Sequence, residues 1–184
     1  MKIPDHATRV FKGKIFDVYQ WEEEMYDGTK GIWERIKRPA TVQILPVAGD
    51  KIYLSYEEQP RIPLGHHLFG GRVEEEEDPL VAAKRELLEE AGMESNDWEL
   101  IKEYNDHGSF DWPVYVYVAR NCQKVAEQKL DAGERIEIQE YDFDEFLRIG
   151  ASEEFGSPVV AGQLFRISQD PQKKAAFKHL LLKK

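Results

Sequence analysis

Residues 71–93 read GRVEEEEDPLVAAKRELLEEAGM, and this stretch decides how the rest of the chain is read. Asp78 is a residue type that caps helix N-termini, and Pro79 suits the first helical position. Leu80, Ala83, Leu87 and Ala91 then recur at helical spacing until Gly92 stops the run. A helix is predicted between Asp78 and Gly92. Glu86, Glu89 and Glu90 stand at i, i+3 and i+4, so three carboxylates share one helical face about one turn long. Like charges that close destabilise an isolated helix. A hard divalent cation, which favours oxygen ligands, turns the repulsion into coordination. For such a triplet taken alone, a solvated acidic face is the plain alternative.

The triplet sits in a wider frame: Gly71, five residues, Glu77, seven residues, Arg85-Glu86-Leu87, one residue, Glu89-Glu90, one residue, Gly92-Met93. Seven fixed identities at roughly 7% each, doubled for glutamate, give a chance match on the order of one in ten million per window. Each position has a physical use. Gly71 permits a tight loop, and the exposed carbonyl of Gly70 can offer a neutral oxygen to a metal. Arg85 can hold Glu77 in a bidentate pair, Gly92 supplies a left-handed cap, and Leu87 and Met93 pack inward. Of the Glu74–Glu77 run, only Glu77 has the register to be structural. At every position the frame is similar to the Nudix box. That resemblance implies an α/β (α+β) fold, an αβα sandwich with a mixed β-sheet, and hydrolysis of a diphosphate. It also implies that Glu86 and Glu90 are the main Mg²⁺ or Mn²⁺ ligands, with Glu89 assisting and Gly70 contributing its carbonyl. Such metals would neutralise the diphosphate, stabilise developing charge and lower the pKa of the attacking water.

Outward from the box, Lys14 to Trp21 alternates apolar and polar positions, Asp27-Gly28 marks a turn, and Gly31 to Ile36 follows: an N-terminal β-hairpin. Thr41 to Val47 and Lys51 to Tyr56 read as core strands joined by Gly49-Asp50. Further strands are expected around Trp98 to Tyr104, Trp112 to Ala119 and Arg135 to Phe143, and helices near Asp144 to Ile149 and Pro171 to Leu182. There is no internal repeat or low-complexity tract. The expected organisation is residues 1–38 as a β-hairpin extension used for dimerisation and 39–184 as the hydrolase domain. Phe11, Phe16, Tyr19, Trp21 and Trp33 give the extension more aromatic surface than a terminal appendage needs, hence the expected homodimer.

Several short stretches resemble the ADP-ribose and nucleoside-diphosphate-sugar pyrophosphatases: Arg38-Pro39-Ala40-Thr41-Val42 leading into Leu45-Pro46-Val47, Gln59-Pro60-Arg61, and the acidic loop Asp131 to Ile138. This implies a nucleotide-sugar substrate, cut to a nucleoside monophosphate and a sugar phosphate. It makes Glu134 a candidate general base or extra ligand, with a plain surface loop as the alternative. It also implies strand exchange between subunits that brings Glu34 and Arg38 near the nucleotide, and Arg38 and Arg61 suit phosphate geometry. Two departures matter. His67-Leu68-Phe69-Gly70-Gly71 stands where that subfamily has Glu-Leu-Pro-Ala-Gly. The proline expected about fifteen residues past the box is absent, with Gly108 near its place and Pro113 further on. ADP-ribose, ADP-glucose and GDP-mannose therefore all stay open. Alternatives are hydrolysis of a dinucleoside polyphosphate or nucleoside triphosphate, or a non-catalytic nucleotide sensor. An isopentenyl diphosphate isomerase needs a placed cysteine, and only Cys122 exists. His66, His67 and His107 lack zinc-ligand spacing. Phe110 and Trp112 suit either a base platform or the core.

Composition bounds these readings. The 184 residues fit one domain, and 41% hydrophobic with 33% charged residues is a soluble globular balance. A net charge of −10 and no Lys/Arg stripe disfavour nucleic acid. One cysteine forms no internal disulfide, the start of the chain lacks a signal peptide's apolar run, and no stretch approaches the ~20 residues of a membrane span. A reducing cytoplasm is the expected compartment.

Overall fold

The computed structural model describes residues 2–60, 62–105 and 108–183. The first three strands, β1 (Thr8–Lys12), β2 (Asp17–Glu24) and β3 (Lys30–Lys37), form an antiparallel meander. The β2–β3 turn is closed by Asp27, whose Oδ1 accepts from the Thr29 amide at 3.0 Å while Gly28 takes φ 81°. Asp and Gly do this at little cost, one by mimicking a backbone acceptor and the other by lacking a Cβ. The expected hairpin is thus the centre of a larger sheet, because a short later strand joins its far edge.

Next come β4 (Thr41–Ala48) and β5 (Lys51–Gln59), which pair only at Val47↔Ile52 and Ala48↔Lys51 before they splay. Residues 69–73 fill the gap. Ile44 N donates to Phe69 O (2.8 Å), Val42 N to Gly71 O (2.9 Å) and Val73 N to Ala40 O (2.9 Å). Gly70 lies between these rungs at φ 140°, where a Cβ would fall 2.0 Å from Val42 O. Only glycine lets the chain lie this close to β4.

β6 (Ile62–His67) pairs with β5, and α1 (Pro79–Ala91) follows the bonded segment. Then come β7 (Met93–Glu94), β8 (Asp97–Tyr104), β9 (Phe110–Asp111), β10 (Val114–Arg120), β11 (Gln123–Lys124) and β12 (Arg135–Tyr141). The chain ends with α2 (Phe143–Gly150), α3 (Pro158–Ser168) and α4 (Pro171–Leu182). The main sheet runs β12-β5-β4-β10-β8, while the N-terminal sheet runs β1-β2-β3-β9. β10 is parallel to β4 and antiparallel to β8, so the main sheet is mixed.

Alternation along β10 shows the layers. Val114, Val116 and Val118 pack with Leu45, Leu54 and residues of α2, α3 and α4. Tyr117 and Ala119 pack with Val42, Phe69 and the Ala82, Ala83, Leu87 and Ala91 stripe of α1. One helix on one face and three on the other make the αβα sandwich. Among the described residues, no helix is long and apolar enough to cross a membrane.

Candidate active site

Helix α1 is set by its ends. Asp78 Oδ1 accepts from the amides of Leu80 (2.9 Å) and Val81 (3.3 Å), and Gly92 closes the helix at φ 62°. Its apolar stripe binds the sheet, so the opposite register, Glu86 and Glu89 with Glu90 at the border, turns toward the 69–77 loop. Glu90 is 5% exposed. The stitched loop meets it: Gly70 N donates to Glu90 Oε2 at 2.8 Å. Gly71 leaves room for Glu86, whose carboxylate atoms lie 2.5–2.8 Å from where a Cβ would be.

Arg85 organises the helix face. Its Nε and Nη2 reach the two oxygens of Glu77, both at 3.0 Å, a fork geometry that only a guanidinium offers. Nη1 donates to Glu86 (2.8 Å) and Glu89 (3.1 Å), and Nη2 also to Arg72 O (3.1 Å). The Arg85 donors hold the Glu77 carboxyl below its ordinary range. Burial pushes Glu86 up despite Arg85, with Glu89 and Glu134 adding repulsion. Glu90 is raised well above its ordinary value by burial, partly offset by the Gly70 amide, and further by the charges of Glu57, Glu86 and Glu134.

Glu134 directly precedes β12, and its Oε2 accepts from the Asp131 amide at 3.2 Å. It also lines an open cleft of about 700 Å³ with Gln59, Pro60, Pro63 and Gly133. Arg61 lies outside the described residues, as does His107. Glu34 is exposed on β3 and accepts from Gln20 at 2.9 Å, and Arg38 lies over the Trp112 ring at 4.3 Å. Glu34 stands on β3 of the N-terminal sheet, and Arg38 follows directly after that strand.

Sequence reasoning passed over Glu57. It is buried on β5 beside Ser55, and its Oε1 lies 3.8 Å from His67 Nδ1. Its period-two spacing from the buried Ser55 was the available signal, masked by the neighbouring Glu58. His66 bonds Tyr141 Oη (2.7 Å), and Trp112 Nε1 donates to Thr41 Oγ1 (2.9 Å). Cys122 is buried in the α1-side core, where desolvation pushes its thiol up to about 11.

Among the described residues, no three Asp, Glu, His or Cys side chains already form a finished ion cage. Arg85 draws Glu86 and Glu89 to itself, and Gly70 holds Glu90. The donor set nevertheless fits a hard divalent cation, because Glu86 and Glu90, raised first by burial and then by neighbouring carboxylates, are relieved by shared positive charge.

The NUDIX domain model matches residues 37–161. Over 151 residues the chain is 30% identical to the ADP-ribose pyrophosphatase of Bacillus subtilis (strain 168), covering 79% of this chain and 81% of that protein. Over 147 residues it is 29% identical to the methanol dehydrogenase activator of Bacillus methanolicus, covering 77% and 79% respectively. Among solved structures, the crystal structure of an ADP compounds hydrolase aligns at TM-score 0.71 over 91% of this chain and 94% of that one. Its 22% identity speaks for the fold alone.

Proposed function

The chain belongs to the NUDIX domain family, and we propose that it hydrolyses the diphosphate bridge of a nucleoside diphosphate linked to a sugar, ADP-ribose or a related nucleotide sugar. One observation carries this reading. Glu134 lines the 700 Å³ cleft, and its charge also bears on Glu86 and Glu90. A single carboxylate thereby joins a space sized for a small molecule to the acidic face of α1. The B. subtilis relative, named an ADP-ribose pyrophosphatase, supports the substrate class.

Glu86 and Glu90 would hold Mg²⁺ or Mn²⁺, with Glu89 assisting and the Gly70 carbonyl adding a neutral oxygen. Bound there, the cation supplies positive charge to the diphosphate and makes the attacking water more acidic. Arg85 positions Glu86 and Glu89 through its Nη1. Glu134 takes a proton from the attacking water as the water oxygen bonds to one phosphorus, the P–O bond from that phosphorus to the bridging oxygen breaks, the bridging oxygen stays on the other phosphate, and a nucleoside monophosphate and a sugar phosphate leave.

Residues 1–38 serve as the dimerisation extension, strand exchange brings Glu34 and Arg38 near the nucleotide, and Arg38 and Arg61 suit phosphate. Phe11 (57% exposed), Ile32 (69%) and Trp33 (49%) leave apolar surface on the N-terminal sheet, Ile32 and Trp33 on opposite faces of β3, that a partner would cover. Light scattering checks this: a dimer mass is expected, and a fully active monomer contradicts it.

A hydrolysis panel with Mg²⁺ and with Mn²⁺ tests the function. Nucleotide sugars should turn over fastest and nucleoside triphosphates poorly. Faster cleavage of triphosphates or diadenosine polyphosphates than of every nucleotide sugar overturns the substrate class.

A further inference from the structure

One buried carboxylate comes from the sheet rather than from α1 or the loop before β12. Along β5, Ile52 and Leu54 pack into the core shared with α2, α3 and α4, so Ser55 and Glu57, at the other parity, face the α1 side. Ile136, opposite Glu57 on β12, belongs to the α1-side core, in agreement. The Glu57 side chain is only 9% exposed. A glutamate is almost never this buried unless its charge is answered. Here the answer is partial. Among the described residues, Gln59 Nε2 at 3.4 Å and His67 Nδ1 at 3.8 Å both meet Oε1, and Oε2 has no partner.

His67 is held firmly enough to aim that carboxylate. Its carbonyl accepts from Ser55 Oγ at 3.2 Å, and its neighbours are tied to the segment before α3: Gly156 N donates to His66 O (2.8 Å) and Leu68 N to Ser157 Oγ (3.1 Å). The imidazole lies against Gly156, where a Cβ would run into three ring atoms. With its backbone tied and its ring backed in this way, His67 keeps Nδ1 toward Glu57 Oε1, at the distance of an ion pair rather than of a hydrogen bond. A glutamate stands at 67 in the subfamily that this chain resembles. Beside Glu57 it would set two buried carboxylates against each other, a conflict that histidine removes.

Glu57 also lies within electrostatic reach of Glu90, whose charged form it disfavours. Glu86, Glu89 and Glu90 come from one turn of one helix, whereas Mg²⁺ and Mn²⁺ take oxygen ligands in near-octahedral arrangement. One helical turn cannot surround such an ion. The other positions fall to the Gly70 carbonyl, to water, to substrate or to a group on another element. Resting on the reading that the α1 face holds a divalent cation, we infer that Glu57 is a further cation-binding carboxylate, offered from β5 with Oε2 as its free oxygen, and that His67 is its positioning residue.

The test is Mn²⁺ titration of the full chain without substrate, read by electron paramagnetic resonance. Glu57→Gln keeps the size and loses the charge, and should bind Mn²⁺ roughly tenfold more weakly or worse. His67→Ala should lose a smaller part of the affinity, and His67→Asn, which returns a donor near the Nδ1 position, should regain most of it. Glu137 follows Ile136 and so points to the opposite face of the sheet, and Glu137→Gln should bind as the wild type does. Melting temperatures in chelator no lower than the wild type's show intact folds. Should Glu57→Gln melt lower, Glu57→Asp decides: it keeps the buried charge, withdraws the oxygens by one methylene, and should still bind Mn²⁺ more weakly. Wild-type affinity in a folded Glu57 variant, or an equal loss in Glu137→Gln, overturns the role of Glu57, and wild-type affinity in His67→Ala overturns that of His67. Glu90→Gln separates the two readings. If it too binds as the wild type does, the cation is not held on α1; if it loses Mn²⁺ while the Glu57 variants do not, only the inference about Glu57 fails.

Discussion

Two charged regions lie on either side of the 69–75 loop, and they are built in opposite ways. On the α1 side one arginine, Arg85, has its donors filled by Glu77, Glu86, Glu89 and Arg72 O, and the surplus is negative: Glu90 is buried among other carboxylates. On the N-terminal side one arginine, Arg38, has a buried Nε with no acceptor, and the surplus is positive. Both regions keep charge of one sign in a partly buried space, an arrangement that costs stability. Charge of one sign gathered in a partly buried space is therefore a better marker of a ligand than the net charge, which here hides the second region.

Removing Arg85 should have the largest effect. Arg85→Ala leaves Glu77, Glu86 and Glu89 without their shared donor, and loss of charged hydrogen bonds costs about 1.5–3 kcal/mol each when a partner stays unsatisfied. We expect unfolding at visibly lower urea and a kcat/KM lower by roughly 10²-fold. Arg85→Lys should recover charge but not the fork, so activity returns only in part. Wild-type kinetics in Arg85→Ala would mean the face organises itself without it.

Gly71→Ala sharpens the comparison at smaller scale. The new methyl would fall 2.5 Å from Glu86 Oε1, while no backbone atom outside the loop is equally near. The carboxylate must move, so Mn²⁺ affinity, read by electron paramagnetic resonance, should fall by roughly tenfold with the fold intact. Unchanged affinity would remove Glu86 from the ligand set.

The smallest effect is in pH dependence of the metal-free chain. Glu90 is raised above its ordinary value, so its charge is unfavourable at neutral pH. Acidification lets the native state take up that proton before the unfolded chain does, and stability rises. Glu77 is lowered, so its contribution is present above the unfolded value near 4.5 and is lost as pH falls through the folded one. Melting temperature in chelator should therefore rise by a few degrees on going down from neutral pH, then drop below pH about 4. Saturating Mn²⁺ should abolish the first rise. A monotonic fall from neutral pH in chelator would contradict the burial of Glu90.

The first region was legible in the sequence because it is one contiguous segment whose geometry follows from helical period: Asp78, Gly92 and the three glutamates need no tertiary information. The second was not, since residues 9–17, 37–40 and 72–75 meet only through docking of the N-terminal sheet, and no linear run of lysines announces it. The same reason explains the missed elements. β1 is exposed along its whole length and so shows no alternation, and β6 carries Pro63 and Gly65, which read as a turn. α3 contains Val159, Val160 and Gly162, which lower helix propensity, and its Ser157-Pro158 start, of the same kind as Asp78-Pro79, was the signal passed over. Tertiary packing of Val160, Leu164 and Ile167 against the sheet decides it.

We propose that the buried carboxylates of α1 hold a divalent cation, and Glu90→Gln tests this most directly because size and helix propensity are kept while the charge is lost. Turnover should be measured against Mg²⁺ concentration alongside thermal unfolding in chelator. We expect kcat lower by roughly 10²-fold or more, with a metal-free variant at least as stable as the wild type. Near-normal turnover in a folded Glu90→Gln protein would contradict it.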